Sequence, residues 1–183
     1  VVTQREIPTD VQSFTEAVRA AMRQNPDVLM IGEMRNADTA EMGLKASETG
    51  HLVISSLHTT SAAQTISRFL SFYDSASQPI ARLRLVDNLM AIVSLRLLPR
   101  IDRAGLIPAV EILRTTRIIQ ECIKIPERNH EALVHMAKSR EFGMQTFDQH
   151  LIELIQAKKI SLAVGLAAAT SPSDLERTIQ FGE

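Results

Sequence analysis

Two short apolar runs, residues 28–31 and 52–54, lie between turn-forming residues: Asn25-Pro26 before the first, Gly32 after it, Gly50 before the second. Runs of this length between such signals fit strands buried on both faces, as in a parallel sheet. Residues 38–49 between them have helical composition, with Asp38 as the expected cap and Gly50 in the position that ends a helix. The pattern predicts strand, helix, strand. Upstream, residues 1–9 read as extended and closed by Pro8. Ser13-Phe14-Thr15-Glu16 has capping-box spacing, and Phe14, Val18, Ala21 and Met22 then share one helical face. Downstream, Ser61-Ala62-Ala63-Gln64 opens a helix through Ile66, Phe69 and Leu70. Residues 79–97 read as one long helix with Leu83, Val86, Leu89 or Met90, and Val93 inward. Short β-like pieces at 97–98 and 106–112 flank a turn signal, Asp102-Arg103-Ala104-Gly105. From Thr115 onward the expectation is helices at 115–124, 129–138, 146–157, 161–168 and 173–180. The class is α/β: a parallel sheet flanked by helices within residues 1–113, then a C-terminal helical bundle over 114–183.

Ligands of parallel α/β sheets bind outside the carboxyl ends of the strands. Glu33 stands at the exit of the first strand and His58 at the exit of the second. A carboxylate there can orient a water or hold Mg²⁺ through its water shell. An imidazole there can donate to a phosphate oxygen, with help from Thr59-Thr60-Ser61 and from free amides at the start of the next helix. Each residue alone has a plainer reading: Glu33 as a solvated acid after a strand, His58 as a turn cap. Arg5 and Arg35 are candidate phosphate or intersubunit arginines, although for each alone a surface ion pair is the better reading. His51 packs or holds a turn. His130, His135 and His150 are spaced irregularly with no acid or thiol partner evident, so no metal site is expected among them.

Composition narrows the classes. The 183 residues are 45% hydrophobic with net charge −1, so no basic field exists to bind nucleic acid nonspecifically, and that partner class is set aside. The one cysteine, Cys122, reads as a buried apolar thiol. No apolar run approaches the roughly 20 residues that span a bilayer, and residues 1–6 lack a signal-peptide core, so a cytoplasmic protein is expected. The chain begins without Met, which suggests a fragment. It contains neither G-x-x-x-x-G-K-[ST] nor G-x-G-x-x-G.

Asn25-Pro26-Asp27-Val28-Leu29-Met30-Ile31-Gly32-Glu33-Met34-Arg35 resembles the Walker B motif of the secretion ATPase superfamily, and residues 48–62 resemble its His box. Gln4-Arg5-Glu6 is similar to the segment after its Asp box, and Gly143-Met144-Gln145-Thr146-Phe147-Asp148 to a C-terminal signature. Within the superfamily the chain resembles the PilT/PilU-type pilus retraction ATPases, with residues 88–97 and the Gly143 stretch leaning toward PilU. The resemblance implies part of a RecA-like core (1–113) and a helical subdomain (114–183). It makes Glu33 and His58 catalytic, with Glu33 also holding Mg²⁺ through water. It assigns Asp27, Gly32, Arg35 and Thr59 to the nucleotide. The implied cofactors are ATP and Mg²⁺. The implied partners are a homo-hexamer of the full-length protein, an inner-membrane platform protein and a paralogous retraction ATPase, with the ring peripheral at the bacterial inner membrane. Against the family's pattern the N-terminal PAS-like domain, the phosphate loop and the Asp box with its catalytic glutamate are missing, which implies a fragment inactive alone. The family's retraction motif has lost most of its polar characters at residues 118–125, which favours an accessory motor or a relative from another secretion system. A non-catalytic ATPase-like assembly subunit is the alternative.

Overall fold

A computed structural model describes residues 2–182, so Val1 of the expected extended segment lies outside it. The chain forms two compact units. One contains the described residues up to His58 together with Ile66–Leu89; the other contains Thr59–Thr65 and the chain from Met90 onward.

In the first unit residues 7–10 form a turn, closed by the Glu6 carbonyl accepting from the Asp10 amide at 2.8 Å. The expected extended segment is therefore interrupted: the Asp10 carboxylate also takes the Glu6 amide, and local bonding wins over extension. Helix α1 (Phe14–Met22) starts where Ser13 accepts from the Glu16 amide. Strand β1 (Val28–Ile31) and strand β2 (Leu52–Ser55) pair in parallel, Val28 opposite Leu52 through Ile31 opposite Ser55. Between them α2 (Ala37–Glu48) is capped by Asn36, two residues before the expected Asp38. Gly50 leaves the helix at φ +94°, a conformation that favours glycine. Helix α4 (Gln78–Asn88) packs on α2, as does α1.

Two expectations fail in this unit. β1 is not buried on both faces. Ile31 is buried, but Met30 is 77% exposed, and Val28, Leu52 and Ile54 share its open side. The helices cover only one face of the two-stranded sheet. The helix expected over 79–97 ends at Asn88, and Leu83, Met90 and Val93 are exposed rather than inward; Val86 is buried as expected.

In the second unit the rest of that stretch is extended. Strand β3 (Ala91–Pro99) pairs antiparallel with β4 (Leu106–Arg114) over nine residue pairs. Residues 89–93 are apolar throughout, so helical and strand periods both fit, and nine pairs of ladder bonding decide the outcome. Beyond the hairpin lie α5 (Arg117–Lys124), α6 (Glu131–Ala137), α7 (Phe147–Gln156), α8 (Leu162–Ala168) and α9 (Pro172–Phe181). Phe147, Leu151, Leu154, Ile160 and Leu175 from the helical part pack with Leu98 and Ala109 of the hairpin in one core. The hairpin thus belongs to the helical unit, and compactness divides the chain near residue 90 rather than at 113/114. Helix α3 (Ala62–Leu70) has its first turn in this unit and its remainder in the other. Among the described residues, no helix is long and apolar enough to cross a membrane.

Candidate functional site

The parallel register of β1 and β2 continues past their ends. The Met34 amide donates to the Ser56 carbonyl at 3.2 Å, and the Ser56 hydroxyl to the Gly32 carbonyl at 2.5 Å. This ties the two strand exits together, and the side chains that follow converge. Nε2 of His58 lies 3.1 Å from Oε1 of Glu33. The other carboxylate oxygen accepts from Nε of Arg35 at 2.7 Å, with a second guanidinium nitrogen at 2.7 Å. Glu33 is one-fifth exposed, whereas the Arg35 and His58 side chains are 76% and 86% exposed. Contacts this open to solvent, one an Arg–carboxylate pair and one an imidazole contact, are worth about 0–1 kcal/mol each, so either partner can leave the carboxylate for a better ligand at little cost. A carboxylate released in this way can orient water, and the freed imidazole and guanidinium both donate to phosphate oxygens.

Of the other expected site residues, Gly32 joins this rim through its carbonyl. Asp27 does not. It precedes β1, where its carbonyl accepts from the Leu52 amide at 3.0 Å. A four-residue strand separates it from Glu33, roughly 20 Å of extended chain. Thr59 belongs to the second unit, and its hydroxyl lies 2.7 Å from that of Thr65. Arg5 is exposed. Nδ1 of His51 lies 3.1 Å from the Ala46 carbonyl and 3.1 Å from the Thr49 hydroxyl, which makes it a turn residue.

The amides expected to be free at the start of α3 are engaged. The Ala62 amide donates to Glu111 at 2.7 Å, and the Gln64 amide to the Ser61 hydroxyl at 3.3 Å. Glu111 is 3% exposed, and burial pushes its carboxyl up despite the Ala62 amide and the nearby Arg96 charge. Arg96 lies 3.9 Å above the Phe147 ring and donates to the carbonyls of Ala168 and of Thr60, the latter at 3.3 Å. Sequence reasoning missed this pair. The available signal was an acid on the buried side of β4, between Ala109 and Leu113.

Cys122, Glu131 and His135 bring a thiol, a carboxylate and an imidazole within 4.8 Å of one another, so His135 does have acid and thiol neighbours. Helix α6 places Glu131 and His135 one turn apart, a spacing read only once the helix is known. Arg128 already holds Glu131 through two nitrogens at 2.8 and 3.0 Å, and burial pushes the Cys122 thiol up. Cys122 is buried, as expected.

Comparison with known proteins is decisive on family. Residues 2–161 match the family described as type II/IV secretion system protein. The chain belongs to that family. It is 38% identical over 182 residues to the type IV pilus ATPase PilU of Pseudomonas aeruginosa, covering all of this chain and 47% of that protein. It is 36% identical over 161 residues to the type IV pilus retractation ATPase PilT of the same organism, covering 88% of this chain and 46% of that protein. The crystal structure of the pilus retraction motor PilT with bound ADP superposes with a TM-score of 0.85 at 37% identity, over 97% of this chain and 49% of that one. The chain spans about half the length of the curated relatives it matches.

Proposed function

We propose that this chain supplies the Glu33–His58 rim of an ATP-hydrolysing motor subunit that works type IV pilus retraction or a related secretion machine. The 3.1 Å approach of His58 to Glu33 carries the reading. Glu33 orients the attacking water and, when Mg²⁺ is bound, holds it through the ion's water shell. His58 leaves Glu33 to donate to the terminal phosphate, and Arg35 leaves it for a phosphate or a neighbouring subunit. A single acid with two weakly held oxygens fits an outer-sphere Mg²⁺ contact better than a direct cage. Bound Mg²⁺ supplies neutralisation of phosphate charge. Asp27 opens the same motif at the far end of β1; Gly32 contributes backbone and Thr59 the link to α3.

The active assembly in this reading is a homo-hexamer with nucleotide between subunits. It acts on an inner-membrane platform protein, beside a paralogous retraction ATPase, and lies peripheral to the inner membrane on its cytoplasmic side. Support comes from the relatives' names and from the two motifs in their family order.

The test is ATP turnover by the complete protein that carries this chain, beside Glu33→Gln. Loss of about 10²–10⁴-fold in kcat is expected for removal of a catalytic carboxylate. Equal turnover in both proteins refutes the role of Glu33. Absence of turnover in the wild type favours a non-catalytic assembly subunit.

A further inference from the structure

Helices α5 and α6 pack on one another, joined by a single 3₁₀ turn, Pro126–Arg128. Both are anchored by buried residues: Ile119, Cys122 and Ile123 on α5, Ala132 and Met136 on α6. Their packing sets three different metal-binding groups side by side. The Cys122 sulfur, a Glu131 oxygen and a His135 ring nitrogen all lie within 4.8 Å of one another. Glu131 and His135 stand one turn apart on α6, with Nε2 of His135 4.0 Å from Oε2 of Glu131. Arg128 donates twice to that same oxygen, from Nε at 3.0 Å and from a terminal nitrogen at 2.8 Å, so Oε1 stands outside the ion pair. All four residues belong to the second compact unit, and none belongs to the Glu33–His58 rim.

We infer that Cys122, Glu131 and His135 form a binding site for a divalent transition-metal ion of the Zn²⁺ class. Thiolate, imidazole and carboxylate are the ligands Zn²⁺ takes, and a thiolate selects it against Mg²⁺ and Ca²⁺, which take oxygen. With bonds of about 2.0–2.3 Å, the ligand atoms of a tetrahedral site stand about 3.3–3.6 Å apart, so atoms now within 4.8 Å close by about 1 Å. Cys122 is held by its packing. The Glu131 and His135 side chains are each 34% exposed, and they make the adjustment by turning about their own bonds. Cys122 binds as the thiolate and gives its proton to solvent. Glu131 offers Oε1 while Arg128 keeps Oε2, which makes Arg128 the outer partner that orients this ligand. Three protein ligands leave the fourth position to water, supplied from the exposed side of Glu131 and His135. The ion clips α5 to α6.

The experiment titrates the reduced 183-residue chain with Co²⁺, which takes the same ligands as Zn²⁺ and, unlike it, absorbs light. The chain has one cysteine, so a Co–thiolate charge-transfer band reports this site alone. The band is expected to grow and saturate. Zn²⁺ should displace Co²⁺ and bleach it, whereas Mg²⁺ should leave it in place. Cys122→Ser should abolish the band. Glu131→Gln and His135→Gln, at half-exposed positions that spare the packing, should each weaken Co²⁺ binding by at least about 10-fold, the loss that follows removal of even an outer partner of a ligand. Circular dichroism of each variant reports that the helices are intact. No band in the folded wild type overturns the inference. So does a band of undiminished affinity in Glu131→Gln and His135→Gln, or in urea, because a thiol that binds without the packed helices is no site. Should the 183-residue chain fail to fold by itself, the difference spectrum between the complete protein and its Cys122→Ser variant decides by the same criteria. None of these readouts involves ATP, so the site stands or falls apart from the proposed function.

Discussion

Replacing Glu111 by Ala removes the acceptor of the first amide of α3, and the size of the effect follows from its surroundings. The carboxylate is 3% exposed and takes the Ala62 amide at 2.7 Å. Loss of a helix-start acceptor costs about 0.5–2 kcal/mol, and loss of a hydrogen bond to a charged group about 1.5–3 kcal/mol. Removing a buried carboxylate also relieves its desolvation, which offsets part of this. A net loss of about 2 kcal/mol is expected, a fall in Tm of about 4–8 °C for a chain of this size. Glu111→Gln keeps an acceptor and discards the charge, so it stays within about 1 kcal/mol of wild type near neutral pH. The pH dependence separates the two effects. Burial raises the folded Glu111 above its ordinary value of 4.5. As pH rises past that value the unfolded chain gives up its proton first, so wild-type stability falls until the folded carboxyl has titrated too. Urea denaturation of wild type and Glu111→Gln from about pH 4 to about pH 8 should therefore show the wild type losing ground to the variant as pH rises. Parallel curves, or a wild type gaining on the variant, refute the argument.

Arg84 bridges α4 to α2, donating to Glu48 at 2.6 and 3.0 Å and to Glu41 at 2.6 Å. Arg84→Ala should cost about 1–2 kcal/mol, after discounting for partial exposure, with a smaller loss at high salt in thermal melts. The Tyr73 hydroxyl is buried with no hydrogen-bond partner among the described residues, and burial with the Glu41 and Glu48 charges pushes it up to about 12. Tyr73→Phe should leave Tm unchanged or raise stability by up to about 1 kcal/mol. It should also abolish the loss of stability that the wild type shows as pH rises past 10, where the unfolded tyrosine ionises first. Val93, Leu95 and Leu97 line the outer face of β3, each more than half exposed. The 183-residue chain is expected to self-associate through this face in sedimentation, and Leu95→Lys to reduce that without lowering Tm.

The parts of the fold legible in the sequence were those bounded by local signals. β1 ends where its apolar run meets Gly32, and α5 to α9 begin within about two residues of expectation because hydroxyl caps and turn residues mark their starts. Residues 91–97 were illegible because neither a charge nor a turn residue interrupts 89–93, and the deciding partner, β4, comes later in the chain. The convergence of Glu33 and His58 was legible, since parallel strands deliver their following residues to the same rim. Asp27 lies at the opposite end of the four-residue strand, away from that rim. The grip of Glu111 on Ala62 joins residues 49 apart in sequence, and no local pattern carries such a contact.

The most direct test of a working Glu33–His58 pair is single-turnover ATP cleavage by the complete protein as Glu33→Gln, His58→Gln and the double variant. Groups that act as a unit are non-additive, so the double variant should be no slower than the slower single one. Effects that multiply would show two residues acting separately, and wild-type rates in either single variant would remove that residue from the chemistry.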